Sequence, residues 1–249
     1  MARIILEEVD IPFRDLPEPM CGLKILLISD VHAGFFFRRK IRAANRLIKD
    51  LSPDLIACTG DTVNRPGDWP IAVEWLSSLP SDVPRYAVAG NWDYARGGSA
   101  ALFAEQIRRA GLIPLQNESA MLDRKDASLR IAGLDDIHLG TFDPNRAFDG
   151  ENADFTLALS HNPDTILYID ETRFDLMLSG HTHGGQVRIP GRGAVFTATH
   201  IGKPYASGLF ELRTGRYLYV SRGLGEGTIP WRAFCPPELT LLTLQNLPG

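Results

Sequence analysis

Seven side chains that commonly bind divalent metals stand in short motifs that directly follow apolar segments. The motifs are SDVH, TGD, AGN, SHNPD and SGHTH, and the residues are Asp30, His32, Asp61, Asn91, His161, His181 and His183. Imidazole and carboxylate ligands together suit first-row divalent metals, whereas Ca²⁺ prefers oxygen ligands alone and structural zinc sites usually include thiolates. The motifs therefore predict a centre for Mn, Fe, Zn or Co ions.

The first half of the chain alternates apolar runs with helical patterns, as βαβ units do. We predict strands over residues 24–29, 54–60 and 85–90, and helices over residues 40–51, 70–79 and 99–110. Asp30, Asp61 and Asn91 stand at or just after the carboxyl ends of these strands. Because ligand sites of open α/β sheets lie at those ends, we expect the motifs to meet there.

Two of the motifs place candidate ligands two residues apart. In extended backbone, Asp30 and His32 would point to the same side, and so would His181 and His183. Each pair is therefore expected to face one cavity from an extended segment.

The second half of the chain has strand-like runs with few helical patterns between them. They cover residues 129–133, 155–160, 175–180, 208–212, 217–220 and 239–244, which predicts a second sheet with antiparallel pairs. Two sheets packed face to face, with helices outside, would give a single α/β domain over residues 1–249.

Composition narrows the class of protein. A net charge of −4 makes nucleic acid an improbable partner, because binding to phosphates needs clustered Lys and Arg. Three widely spaced cysteines suggest no disulfide framework, which favours a reducing compartment. The first residues carry acids and prolines where a signal peptide needs an apolar core. We therefore expect a soluble, cytoplasmic protein, while its oligomeric state stays open.

The motifs in this order, D-x-H, G-D, G-N, H and G-H-x-H, resemble the calcineurin-like metallophosphoesterase family from about Lys24 to Leu244. SHNPD, GHTHGGQVRIPG and YVSRGLG are similar to the bacterial branch with the YkuE and YaeI type phosphodiesterases. The resemblance implies a four-layer αββα sandwich of two mixed sheets flanked by helices. It also implies two divalent metal ions, of which Mn is the expected one.

The resemblance further implies a role for each ligand. Asp30, His32 and His183 would hold the first metal, Asn91, His161 and His181 the second, and Asp61 would bridge them. Catalytic roles would fall to Asp61, Asn91 and His181. Two such ions can acidify a water between them and stabilise charge during in-line attack on a phosphodiester or pyrophosphate-diester bond.

The stretch AGNWDY departs from the family that the chain resembles, whose motif at this place is G-N-H-[DE]. Trp92 stands where the family has a histidine assigned to phosphate contact and to protonation of the leaving oxygen. An indole N–H does not titrate in the useful range, so we predict a preference for aryl or phosphate leaving groups. UDP-2,3-diacylglucosamine pyrophosphatases are relatives that also depart here; the alternative is that Trp92 only packs the pocket wall.

Further substrate contacts are predicted at Asn64, Arg188 and Phe36. The run FFFRRK, Phe35 to Lys40, could contact a lipid headgroup region, which would place the protein peripherally at the inner membrane face. Alternatively, its phenylalanines join the core. His138 and His200 are expected to be structural or surface residues.

The expected substrate is a small-molecule or lipid phosphoester, including UDP-diacylglucosamine-like lipids. A promiscuous or cyclic-nucleotide phosphodiesterase is the competing enzyme assignment. A non-catalytic scaffold with the same fold is the alternative from another class of protein.

Overall fold

The computed structural model describes residues 3–34, 37–213 and 215–247. The strands are β1 (Ile5–Phe13), β2 (Lys24–Ile28), β3 (Leu55–Thr59), β4 (Arg85–Val88), β5 (Ile113–Pro114), β6 (Glu118–Arg124), β7 (Ala127–Gly133), β8 (Phe155–Leu159), β9 (Leu176–Ser179), β10 (Arg188–Ile189), β11 (Gly193–Ala194), β12 (Gly208–Glu211), β13 (Tyr217–Val220) and β14 (Glu238–Asn246). The α-helices are α1 (Arg38–Ile48), α2 (Trp69–Ser77), α3 (Asn91–Tyr94), α4 (Ala100–Arg109) and α5 (Pro144–Ala147). None of these helices has the length and hydrophobicity that a bilayer-spanning segment requires.

The long strands form two mixed sheets of six strands each. The first has the order β1-β14-β2-β3-β4-β5, and the second has the order β12-β13-β9-β8-β7-β6. Within the first sheet, β2 to β5 are parallel, and every residue of β3 is buried. Continuous apolar runs such as LIACT suit this position, because a central parallel strand is covered on both faces.

Three apolar clusters separate the layers. One lies between the two sheets and includes Leu27 of β2 and Leu157 of β8. A second joins the outer face of the first sheet to α1, α2 and α4, where Trp75 and Phe103 are fully buried. The third covers the outer face of the second sheet with α5, short 3₁₀ turns and Phe174. The predicted α/β fold class of two mixed sheets flanked by helices is thus confirmed.

Several predicted elements differ from the structure. The run at 239–244 was expected with the second sheet, but β14 lies in the first, parallel to β1 and antiparallel to β2. The second sheet has antiparallel pairs only at its edges, while β7, β8, β9 and β13 are parallel. The helices in the connections of these central strands are only three to five residues long, so the connections lack the helical periodicity that marks a parallel crossover. Neither β1 nor β6 was predicted, because acids interrupt ILEEVDIPF and ESAMLDR.

The carboxyl ends of strands from both sheets meet at one end of the sandwich. The Asp30 amide donates to Gly60 O at 3.0 Å, which joins the loops after β2 and β3. Across the sheets, the His161 ring after β8 contacts Thr59 O of β3 at 2.8 Å. The motifs that follow these strands therefore converge, as the strand-end argument requires.

The contact between the sheets can be tested with Phe155→Ala. Phe155 of β8 is 2% exposed, and its ring packs edge-to-face on Phe13 of β1 at 5.3 Å. We expect the free energy of unfolding to fall by about 3–5 kcal/mol in urea denaturation, since truncating a buried Phe leaves a cavity. Leu139→Ala, at a side chain 55% exposed, is the control and should stay within about 0.5 kcal/mol. A loss below about 1 kcal/mol for Phe155→Ala would contradict this packing.

Candidate metal centre

The backbone of the candidate ligands is left-handed at five positions. Positive φ angles occur at Asp30 (48°), His32 (46°), Asp61 (51°), His181 (66°) and His183 (51°). The expectation that each pair sits in extended backbone is therefore wrong: sharp turns aim the side chains into the site. Each such conformation costs roughly 1–3 kcal/mol, and strain of this kind clusters at functional sites.

Four buried side chains form the first group. One ligand atom from each of Asp30, His32, Asp61 and His183 lies within 4.8 Å of all the others. His32 Nε2 is 3.2 Å from His183 Nε2 and 3.5 Å from Asp61 Oδ2. His183 Nε2 is 3.5 Å from Asp30 Oδ1.

The second group lies on the other side of Asp61. Asn91 Oδ1 is 3.0 Å from His181 Nδ1 and 3.1 Å from His161 Nε2. His161 Nε2 is also 3.3 Å from Asp61 Oδ2. The single atom Asp61 Oδ2 thus lies within 3.5 Å of an imidazole nitrogen from each group.

Hydrogen bonds behind the rings decide which nitrogen faces inward. His32 Nδ1 contacts Asn64 Oδ1 at 3.0 Å, His161 Nδ1 contacts Thr59 O at 2.8 Å, and His181 Nε2 contacts Ala198 O at 3.1 Å. Each outer nitrogen must donate to its oxygen, so the inner nitrogen of each neutral ring presents a lone pair. Lone pairs and carboxylate oxygens that crowd together in this way fit divalent first-row cations. His183 differs, because Arg232 Nη2 stands 3.3 Å from its Nδ1.

The charges in the site perturb one another strongly. Burial alone would raise the pKa of Asp61, but the imidazoles of His161, His32 and His181 outweigh it and hold that pKa below its ordinary value. Burial would lower the pKa of His161, yet the Asp61 carboxylate overcomes this and raises it. Burial, with His32 and Arg232 nearby, holds the pKa of His183 well below its ordinary value, so this ring is neutral.

Close packing behind the ligands leaves room only for glycine. A Cβ on Gly180 would clash with Asp30 Oδ2, and one on Gly90 would clash with Asp61 Oδ1. Asp93 braces the same region by accepting hydrogen bonds from the amides of Thr62 and Gly90, at 2.9 Å each. Burial and the nearby Asp61 raise the pKa of Asp93 to about 7.

The predicted substrate contacts lie in different places. The Trp92 indole packs edge-to-face on His32 at 5.2 Å and carries the Arg96 guanidinium 4.8 Å from its ring centroid. Asn64 binds the His32 ring and also donates to His32 O at 3.0 Å, so it orients a ligand. Arg188 donates to Gly184 O and to Ser207 Oγ, which fixes the turn after His183.

The FFFRRK segment is only partly described. Phe35 and Phe36 lie outside the described residues, as does the Arg39 side chain. Phe37 is 2% exposed and packs on Trp75 at 5.0 Å, so this phenylalanine joins the core.

Sequence reasoning missed two residues beside the ligands. The His138 ring lies 6.0 Å from that of His181, and its Nε2 contacts Asn162 Nδ2 at 2.8 Å. Its position five residues after β7, a neighbour of β8, was the available signal. Arg232 is partly buried beside His183 and donates to four backbone carbonyls, those of His183, Arg222, Gly223 and Gly225. Nothing in the local motif IPWRAF marks this role.

Comparisons with known proteins agree with the motifs. The family model described as calcineurin-like phosphoesterase matches residues 23–185. The chain is 32% identical to the metallophosphoesterase YkuE of Bacillus subtilis, over 93% of this chain and 82% of YkuE. It is also 32% identical to the phosphodiesterase YaeI of Escherichia coli, over 93% of this chain and 84% of YaeI.

A third relative and one solved structure extend the comparison. Identity to the UDP-2,3-diacylglucosamine pyrophosphatase LpxG of Chlamydia trachomatis is 32%, over 89% of this chain and 83% of LpxG. The NAD nucleotidase of Haemophilus influenzae has a similar fold, with a TM-score of 0.51 and 14% identity over 81% of this chain and 45% of that one. The resemblance inferred from the motifs is confirmed by the family match and these identities.

The raised pKa of His161 predicts proton release on metal binding. Below that pKa the metal-free protein holds a proton on His161, and a divalent cation must displace it. Apparent Mn²⁺ affinity should therefore fall as pH falls, by about tenfold per unit for one proton between pH 8 and pH 6. Isothermal titration in two buffers of different ionisation enthalpy measures the proton count directly. Metal binding without proton release at pH 8 would contradict the charge state given for His161.

Proposed function

Because the chain belongs to the calcineurin-like phosphoesterase family, we propose that it is a metal-dependent phosphoric ester hydrolase acting on phosphodiester or pyrophosphate-diester bonds. The observation that carries the proposal is the position of Asp61 Oδ2, within 3.5 Å of imidazole nitrogens from two separate ligand groups. A carboxylate shared between two sets of ligands suits a dinuclear centre, in which two cations lie about 3.5–4 Å apart.

The proposal assigns seven ligands to two cations. Asp30, His32 and His183 would hold one, Asn91, His161 and His181 would hold the other, and Asp61 would be shared between them. Mn²⁺ is the proposed ion, and the same donors accept Fe, Zn or Co. When bound, such a pair supplies Lewis acidity towards a phosphoryl oxygen and towards water.

The residues of the chain have their own tasks in this proposal. In the neutral rings of His32, His161 and His181, hydrogen bonds to Asn64 Oδ1, Thr59 O and Ala198 O fix the proton on the outer nitrogen, so the inner nitrogen would be free to bind a cation. Asp61 Oδ1 accepts a hydrogen bond from the Trp92 amide at 2.8 Å, and this bond holds Oδ2 towards His32 and His161. Bracing of this kind holds the ligands in one geometry and lowers the reorganisation needed during the reaction.

Trp92 shapes the proposed leaving-group preference. Its indole lies beside the ligand His32, and it cannot donate a proton by titrating near neutral pH. Phosphate and aryl oxide ions leave without such help more readily than alkoxides do. The proposed substrates are therefore pyrophosphate diesters or aryl phosphodiesters, and LpxG, a pyrophosphatase by its name, supports the first class.

The proposed place of action is the cytoplasm, including the inner membrane face. Cys21, Cys58 and Cys235 are all free thiols, which suits a reducing compartment. The proposed substrate is a small-molecule or lipid phosphoester.

Metal removal and a change at the shared ligand test the hydrolase assignment. Bis(4-nitrophenyl) phosphate turnover should vanish after chelation and return with Mn²⁺. Asp61→Asn should lower kcat/KM at least about a hundredfold, as expected when a group that stabilises transition-state charge is lost. Metal content by mass spectrometry should fall together with the rate. Asp123→Asn, on the exposed part of β6, is the matched control.

Two results would speak against the assignment. Undiminished turnover in chelator would contradict a metal-dependent reaction. Turnover of cyclic nucleotides alone, within a panel of diesters, would favour the cyclic-nucleotide alternative.

The leaving-group preference is tested with Trp92→His. A general acid contributes about 10²- to 10⁴-fold to basic leaving groups, so the histidine should raise alkyl diester turnover more than aryl diester turnover. The aryl-to-alkyl ratio of kcat/KM should then narrow by at least about tenfold. Trp92→Phe keeps an aromatic ring without a titrating proton and should leave the ratio as it is. Equal aryl and alkyl diester turnover by the unmodified enzyme would contradict the proposed leaving-group preference.

A further inference from the structure

A cleft of about 890 Å³ opens between α1 and the loop over residues 225–232. Its lining includes His32 and Asn64, so the cleft is continuous with the metal-ligand groups. Most of the remaining lining is apolar and includes Ile4, Phe37, Ala43, Leu47, Pro230 and Trp231. A phosphoryl group bound at the ligands would need only a small part of this space.

The charged residues of the cleft are mainly basic. Lys40, Arg232, Arg3 and Arg46 face one acid, Glu226. Lys40 is paired with Glu226 at 2.6 Å, and Arg232 is engaged by backbone carbonyls. Arg3 and Arg46 are exposed and do not belong to the Lys40–Glu226 pair, so they are placed to attract an anion. The cleft combines apolar walls with an excess of positive charge.

A hydrocarbon chain is the occupant that uses these walls. Burying one methylene group changes affinity by about fourfold, so a chain of several carbons would gain much from Ala43, Leu47 and Phe37. A fully polar occupant would gain nothing from them. Trp231 lines the cleft while 54% exposed, and Ile229 beside it is 44% exposed. Such a tryptophan suits the boundary between apolar and aqueous surroundings.

We propose that this cleft binds the hydrocarbon chain of a lipid phosphoester whose phosphoryl group lies at the metal ligands. The inference rests on the proposed function, since it places the reacting group there. It assigns the substrate class as an amphiphile with its chain between α1 and Trp231 and its anionic part near His32 and Asn64.

The test uses 4-nitrophenyl alkyl phosphodiesters with chains from ethyl to octyl, below their micellar concentrations. With Mn²⁺ present, kcat/KM should rise at least about a hundredfold from ethyl to octyl, chiefly through KM. Ala43→Trp fills the cleft with an indole and should flatten this dependence. Arg42→Trp adds the same side chain at the adjacent, exposed position of α1 and should retain the steep dependence.

A binding measurement separates this inference from the proposed function. Chelator-treated protein is titrated with ethyl, butyl and octyl phosphate by calorimetry, where affinity should rise with chain length and the heat capacity change should be negative. Ala43→Trp should abolish the increase and Arg42→Trp should keep it. If Ala43→Trp does not fold by circular dichroism, Leu47→Ser replaces it, because a hydroxyl in the wall also weakens chain binding.

The outcomes differ for the two claims. Turnover with no dependence on chain length overturns the cleft assignment and leaves the hydrolase intact. Chain-dependent binding without turnover of any diester supports the cleft and counts against the proposed function. A chain-length dependence that survives in folded Ala43→Trp, or binding of uridine monophosphate in place of octyl phosphate, also overturns the cleft assignment.

Discussion

The site is organised around one buried carboxylate that two groups of imidazoles share. Asp61 is 1% exposed, and its pKa is held below the ordinary value by the rings around it. A buried negative charge is destabilising unless positive groups or hydrogen bonds compensate it. Here His161, His32 and the Trp92 amide supply that compensation before any cation arrives. The order of strands in both sheets serves to bring these partners to the same point.

Holding this arrangement requires a backbone that most residues avoid. Five candidate ligands sit at positive φ, so the site lowers the stability of the protein and the three apolar clusters must offset that loss. The strained and the stabilising residues lie in different parts of the molecule. The strain lies in loops at the carboxyl ends of strands, while the apolar clusters lie between the layers. Rigid strands on either side keep the strained turns from relaxing.

The sequence carried more information about the site than about the sheets. The ligand motifs could be recognised because each follows an apolar run. The fold class followed from the βαβ rhythm of the first half, the strand-like runs of the second half and the family resemblance. The left-handed turns at Asp30 and His183 were hidden, because residues other than glycine rarely adopt them and no local signal marks them. The place of β14 was hidden as well, since pairing with β1 and β2 is set by distant segments. Arg232 donates to backbone carbonyls, and because every residue has a carbonyl, no sequence pattern marks these partners.

The position of β14 between β1 and β2 affects how the chain folds during synthesis. Ile5 pairs with Glu238, so the first sheet has partners more than two hundred residues apart, and such pairings slow folding. The loop that carries Arg232 to His183 directly precedes β14, so both are synthesised after all the other strands of the first sheet. Until β14 pairs with it, the edge of β2 has unpaired backbone groups and can pair with the wrong strand, so the growing chain is prone to aggregation at this edge.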